Sequence, residues 1–304
     1  MPPKANYNFT STHFQRSVGE VHLPTWKDFL AYVHENLSIV PDLVWRGQCC
    51  ESWPLQPSLD REFKALRMDP FSDEAAATVR FEHLRRFKLA ARGRLNPQEL
   101  EERVRLDDLT SSDEGEPPNG SNENAPLGPT HKEREQNNWW AVGQHHGLST
   151  PLLDWTASPF VAAFFAFAEE LRSCDNSEGR AIYGLNRPLV AQKSDEIREK
   201  DIGSARPPVV DFVEPLYRDN PRLVSQGGLF TRSPNGQGLA EWVEENYNDE
   251  DEDYVLLLKL VLPNKNREYI LRSLNAMNIN HQSLFPDLYG ATEFVNFKLR
   301  IDDY

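Results

Sequence analysis

The chain has 304 residues, 39% of them apolar and 11% aromatic, with a formal net charge of −14. It is long enough for one large or two ordinary domains, with a core that needs no disulfide or metal. Its acidity excludes a surface suited throughout to nucleic acid or anionic membrane, so any such contact requires a local basic patch.

The three cysteines, Cys49, Cys50 and Cys174, form neither a disulfide framework nor a CxxC zinc pattern. The opening "MPPKANYNFTSTHF" lacks the apolar centre of a signal peptide, and no stretch approaches a membrane span. These features predict a soluble intracellular protein, cytoplasmic or nuclear, with no membrane partner.

In chain order, Thr25 and Asp28 stand at capping-box spacing before Trp26, Phe29, Leu30 and Val33, which recur at helical intervals. "DLVWRGQ" reads as a strand ending in a turn. A long helix is expected from the Ser72 cap onward. It carries Arg80, Arg85, Arg86, Lys88, Arg92 and Arg94, and reads as a solvated face in preference to a polyanion site. Residues 107–138, rich in Pro, Gly, Ser, Asn and charge, predict a disordered insertion. A second acidic break, Glu244 to Asp253, predicts a solvated loop.

Ser158 and Pro159 fit the N-cap and first position of a helix. The segment that follows, "FVAAFFAFAEEL", is apolar almost all round and predicts a buried central helix. "RAIYGL" and "DYVLLLKLVL" read as strands, and two helices close the chain, the second opened by Pro286. There is no regular βαβ alternation. The expectation is a single α+β domain, core about residues 25–300, with a mainly antiparallel sheet packed on the buried central helix.

Four stretches place polar or permissive residues where packed elements should end. In "WRGQ", Trp45 to Gln48, Arg46 followed by Gly47 suits a phosphate, because the guanidinium fork donates two parallel hydrogen bonds; pairing with an acid is the plainer alternative. In "QHHGLSTPLLDWT", adjacent His145 and His146 diverge on any regular element and cannot chelate one metal as an i, i+4 pair does. One of them would serve hydrogen bonding or acid–base work. Asp154 must be paired: it would cap the helix region, hold Arg46, or face a substrate. Gln144 belongs to the same cleft-lining group. Gln226 before Gly227-Gly228 suggests close backbone approach or a simple turn. Asp287 suits the start of a helix by its dipole alone, and Glu293, six residues on, falls on a neighbouring face.

The order "WRGQ … W-PLQPSLDR … QHHGLSTPLLDWTASPFVAAFFA … NPRLVSQGGLFT … LFPDLYGATEF" resembles the FRG domain, a family named for its aromatic-Arg-Gly motif, from Val44 to about Lys298. Thr150 is followed here by Pro151, where the family typically has a bulky or basic residue. A fainter likeness is to ADP-ribosyltransferases, through an aromatic-Arg-Gly strand end, a Ser-Thr element and a late acid. That likeness implies NAD as substrate, with Arg46 on its phosphates and Ser149 and Thr150 supporting the nicotinamide-ribose pocket. It puts the catalytic carboxylate among Asp154, Asp287 and Glu293, since the usual acidic pair after a strand is missing. Trp45 or Trp155 would stack on nicotinamide and His145 would bond a ribose hydroxyl, with Gly47, Gln48, Gln144 and Gln226 completing the pocket. ADP-ribose would pass to a macromolecular acceptor, protein or nucleic acid. The competing expectations are a nucleotide-binding or sensing module without turnover, and a His-dependent hydrolase or nuclease using Ser149 or Thr150.

Overall fold

The computed structural model describes residues 12–15, 18–36, 42–69, 74–92, 131–170, 179–201, 207–214, 221–247 and 256–304. Eight strands form one sheet: β1 (Thr12–Gln15), β2 (Val18–His22), β3 (Leu43–Gln48), β4 (Leu153–Thr156), β5 (Gly179–Asn186), β6 (Asp211–Val213), β7 (Gly228–Arg232) and β8 (Leu257–Pro263). Their spatial order is β1-β2-β8-β5-β3-β4-β7-β6. Only β2 and β8 run parallel; every other neighbouring pair is antiparallel. β5 is buried along its whole length, Arg180 and Asn186 included, and β8 along most of its own, because helices cover both faces; β8 is accordingly almost all apolar.

The predicted buried helix is α5 (Pro159–Ala168), which follows α1 (Trp26–Asn36), α2 (Ser58–Ala65), α3 (Glu74–Ala90) and α4 (His131–His145). Ser158 caps it, its hydroxyl accepting from the Val161 amide at 3.3 Å, and Pro159 occupies the first turn. Phe164 and Phe167 are fully buried, each adding about 1.5–3 kcal/mol of burial energy. The other end is capped from outside. Arg180 donates to the carbonyls of Ala166 and Glu169, and Arg267 to those of Phe167 and Ala168. Two cations therefore satisfy carbonyls that a buried C-terminus would otherwise leave bare.

α6 (Arg187–Lys200), α7 (Pro221–Gln226), α8 (Leu239–Asn246), α9 (Arg267–Ala276), α10 (His281–Leu284) and α11 (Leu288–Arg300) complete the described helices. One face of the sheet carries α1, α5, α9, α10 and α11, and the other carries α6 and α8. A third cluster of α2, α3 and α4 covers the end of the sheet at Phe230 and Val213. The α+β class, the mostly antiparallel sheet and the buried central helix agree with the sequence reading.

Several expectations change. Residues 131–138, read as part of a disordered insertion, form the first half of α4. Its polar Asn137 is buried because its Oδ1 accepts from Arg232 at 2.6 Å. Residues 107–130, the Ser72 cap, Arg94 and residues 248–253 lie outside the described residues, whereas Glu244 to Asn246, read as the start of an acidic loop, are the last turn of α8, followed by buried Tyr247. The last helix starts after Asp287, not at Pro286: the Asp287 carboxylate accepts from the Gly290 amide at 3.1 Å. The basic stretch is largely neutralised. Arg80 is buried, paired with buried Asp60 at 3.0 Å and lying over Phe63, while Arg85 pairs with Glu82 and Lys88 with Glu135. Among the described residues no helix is long and apolar enough to cross a membrane.

Candidate functional site

β3 pairs with β5 at six successive positions but with β4 only at Trp45 and Thr156. Beyond that pair the sheet opens in its middle, and the side chains that close the gap form a cleft of about 250 Å³. Its floor is Arg46 and Asp154. The end of α4 contributes Gln144 and His145, α7 contributes Arg222 and Gln226, and Phe165 and Phe285 are the aromatic walls.

Gly47 explains why Arg46 can sit there. A Cβ on Gly47 would lie 1.9 Å from the Ala162 carbonyl oxygen and 2.6 Å from the Ala166 nitrogen, so α5 reaches β3 only over a bare backbone. The helix is thus seated against the strand, one residue from the arginine.

Arg46 spans the opened ladder. One terminal nitrogen donates to the Asp154 carbonyl oxygen at 2.9 Å and meets its carboxylate at 2.7 Å. Its Nε is buried with no hydrogen-bond partner among the described residues. Asp154 stands deep in the concavity, surrounded by protein, yet 60% of its side-chain surface faces the open cleft. Burial pushes its carboxyl up, but the charge and hydrogen bonds of Arg46 outweigh that and hold it below the usual 3.8. The carboxylate is ionised and available to a ligand.

A relay of hydrogen bonds orients it. The Leu152 amide donates to the Thr150 hydroxyl at 3.3 Å, so the hydroxyl proton goes to Gln144 Oε1. That contact fixes the Gln144 amide, whose Nε2 donates to Asp154 Oδ1 at 3.3 Å. Ser58 locks Thr150 further through both backbone groups.

Opposite, Arg222 donates from Nε to Asp287 at 2.6 Å and lies 5.4 Å from the ring centres of both Phe285 and Tyr289. The His145 ring packs edge-on to His146. Burial lowers the proton affinity of His145, His146 and Arg222 push the same way, and Asp287 opposes them.

Of the residues singled out from sequence, Trp45, Arg46, Gly47, Gln144, His145, Asp154, Trp155 and Gln226 line this one cleft. Both tryptophans, however, are only 2% exposed. Trp155 donates its indole proton to Thr231, and Trp45 lies against Gly184, so neither offers a free face for stacking. Phe165 and Phe285 are the half-buried rings of the cleft, and Phe285 already packs on His281 and Arg222. Thr150 is fully buried beneath the cleft, and the Ser149 carbonyl accepts from the His83 ring; neither residue lines it. Gln48 is buried, donating to the Pro54 carbonyl at 3.4 Å. Glu293 lies away on α11, bonded to Asn296. Asp287 reaches the rim only through Arg222.

Sequence reasoning missed Arg222, Phe165, Phe285 and Thr156. Arg222 follows Asn220-Pro221, a helix-start signal that would have placed it on a first turn beside Gln226. Among the described residues no three His, Cys, Asp or Glu side chains gather to hold a metal.

The FRG domain model matches residues 121–175, whose described part contains α4, β4 and α5. The match is narrower than the resemblance read from the sequence and takes in Gln144, His145 and Asp154 but not Arg46. No curated protein and no solved structure matches the chain. None of the comparisons supports the likeness to ADP-ribosyltransferases.

Proposed function

We propose, for a chain carrying an FRG domain match at residues 121–175, that the cleft holds the sugar of a nucleotide and that the protein is an ADP-ribosyltransferase-like enzyme using NAD. The observation that carries the reading is Asp154: an ionised carboxylate on a cleft floor, oriented by Gln144 and Arg46 and still open to a ligand.

Loss of nicotinamide from a ribose develops oxocarbenium character, as glycoside hydrolysis does. A preorganised carboxylate stabilises that charge without reorganising at the moment of reaction. Asp154 is the group suited to this role. Phe165 and Phe285 offer apolar surface for the leaving ring, and His145 a hydrogen-bond partner for a hydroxyl. The cleft volume, about 250 Å³, lies just under the usual range of small-molecule sites, roughly 300–1,000 Å³. It suits a nucleoside-sized portion, with the remainder of a dinucleotide across the mouth. The acceptor would be a macromolecule, protein or nucleic acid.

A second reading, a nucleotide-binding module without turnover, is favoured by one observation: the Arg46 charge that orients Asp154 also offsets the negative charge a developing oxocarbenium ion would meet. For the hydrolase reading, the Thr150 hydroxyl is poorly suited as nucleophile because it is buried and bonded to Gln144, which leaves Ser149 as the candidate.

The test is nicotinamide release from NAD, alone and with cell extract as acceptor. Asp154→Asn, nearly isosteric, serves as the variant, with folding checked by circular dichroism. Release by the wild type and its loss in folded Asp154→Asn support the enzyme. Silence in both assays with NAD still bound supports the module instead.

A further inference from the structure

Arg46 and Arg222 both line the cleft, but they are not equally free to meet an anion. Arg46 is 15% exposed, its Nε is buried, and one terminal nitrogen is held by both the backbone and the carboxylate of Asp154. A phosphate placed on Arg46 would stand beside the Asp154 carboxylate, and that repulsion would cancel much of the gain.

Arg222 differs on each count. Its side chain is 28% exposed, its partner Asp287 is 38% exposed, and the pair sits at the rim. Solvent screens an ion pair at the rim, so an incoming phosphate displaces little. Asp287 is also not orphaned by the exchange, because its other oxygen caps α11 through the Gly290 amide. The guanidinium already packs against both Phe285 and Tyr289, whose rings meet edge-on 5.4 Å apart, so less rotamer freedom remains to be lost on binding. Across the cleft stands His145, close enough for Arg222 and Asp287 both to act on its charge.

We propose that Arg222, with His145 opposite it, is the phosphate-binding group of the cleft, and that Arg46 is a positioning residue for Asp154. A nucleotide then lies with its phosphate at the mouth, against α7, and its sugar over Asp154. This rests on the nucleotide reading and sharpens it: the preferred ligand carries a phosphate linked to the sugar, and the charge partner of that phosphate is on α7 rather than on β3.

The full chain is titrated calorimetrically with inorganic pyrophosphate, ADP-ribose and nicotinamide riboside. Arg222→Leu is expected to weaken pyrophosphate and ADP-ribose about ten- to a hundredfold, the effect of one charge-assisted hydrogen-bonded partner. Nicotinamide riboside, which has no phosphate, should bind as before. Asp287→Asn keeps a cap oxygen while removing the competing charge, and should tighten pyrophosphate. Wild-type affinity in folded Arg222→Leu, no pyrophosphate binding by the wild type, or a loss that follows Arg46→Met in place of Arg222→Leu would each overturn the proposal. Pyrophosphate binding that depends on Arg222, with no nicotinamide release, defeats the enzyme reading and leaves this one standing. Nicotinamide release with an unchanged KM for NAD in Arg222→Leu does the reverse.

Discussion

Arg46 and Asp154 are written 108 positions apart and meet because β3 and β4 separate after a single paired position. The arginine occupies hydrogen-bonding sites that a continuous ladder would have filled, and in doing so fixes the protonation state of the acid. Two influences oppose each other at Asp154: burial raises its carboxyl pKa and Arg46 lowers it. Arg46→Met removes the second and leaves the first, so the Asp154 pKa is expected to move from below 3.8 to above it. An NMR titration of the carboxyl carbon reads this directly. A pKa that stays below 3.8 in the variant would mean that Gln144 or the backbone, not Arg46, keeps the group ionised. The sign also fixes the stability consequence. A depressed acid contributes stability above its unfolded value and loses it as the pH falls through the folded one, so this contribution disappears only in strong acid.

At the scale of elements, the seating of α5 on β3 depends on Gly47. The atoms a methyl group would strike belong to the backbone of Ala162 and Ala166, which cannot rotate aside. Gly47→Ala is therefore expected to cost at least about 3 kcal/mol, the upper end for overpacking, and to lower the thermal midpoint. A variant as stable as the wild type would mean that α5 can slide along the strand. His281, at the first turn of α10, tests the packing of the same face. Its ring lies 4.9 Å from Phe164 and 4.3 Å from Phe297, and its Nδ1 has no partner among the described residues. Burial lowers its pKa from 6.5, with Glu293 opposing and Arg300 assisting. The unfolded state thus takes the proton first. The contribution is complete above pH 6.5 and declines as the pH falls through that value toward the folded pKa. Denaturant midpoints measured from pH 7.5 to 5 should fall in the wild type and fall less in His281→Phe; equal slopes would exclude His281 as the source.

The same elements show what the sequence made legible. Thr25 with Asp28 and Ser158 with Pro159 announced α1 and α5 because capping is local chemistry, carried by side chains within three residues of the amides they satisfy. β4 was not legible. Its four residues, Leu153–Thr156, are too few for a period to stand out: Asp154 faces outward between buried Leu153 and Trp155, but Thr156 breaks the alternation, buried because its hydroxyl donates to the Gln226 carbonyl 70 residues away. The first half of α4 read as part of a disordered insertion because it is polar through Asn137 and Asn138. The partner that allows Asn137 to be buried, Arg232, lies 95 residues away. Long-range pairing of polar groups is what local pattern cannot supply.

For the whole molecule, charge and cleft pull in opposite directions. The chain carries −14, so an anionic nucleotide approaching from solution meets a repulsive field, while Arg222 and Arg46 attract only near contact. Salt weakens the long-range part first. The Debye length falls from about 30 Å at 0.01 M to about 8 Å at 0.15 M, which still exceeds the few ångströms over which a guanidinium and a phosphate interact. Association of ADP-ribose is therefore expected to speed up as salt rises through this range, the opposite of a protein that steers nucleotides with a basic face, while dissociation changes less. Stopped-flow association rates at the two ionic strengths decide it. Rates that fall with salt would mean that the local field of the cleft reaches further than the net charge of the chain. The nucleotide would then be guided to Arg222 from a distance, instead of being held only after arrival.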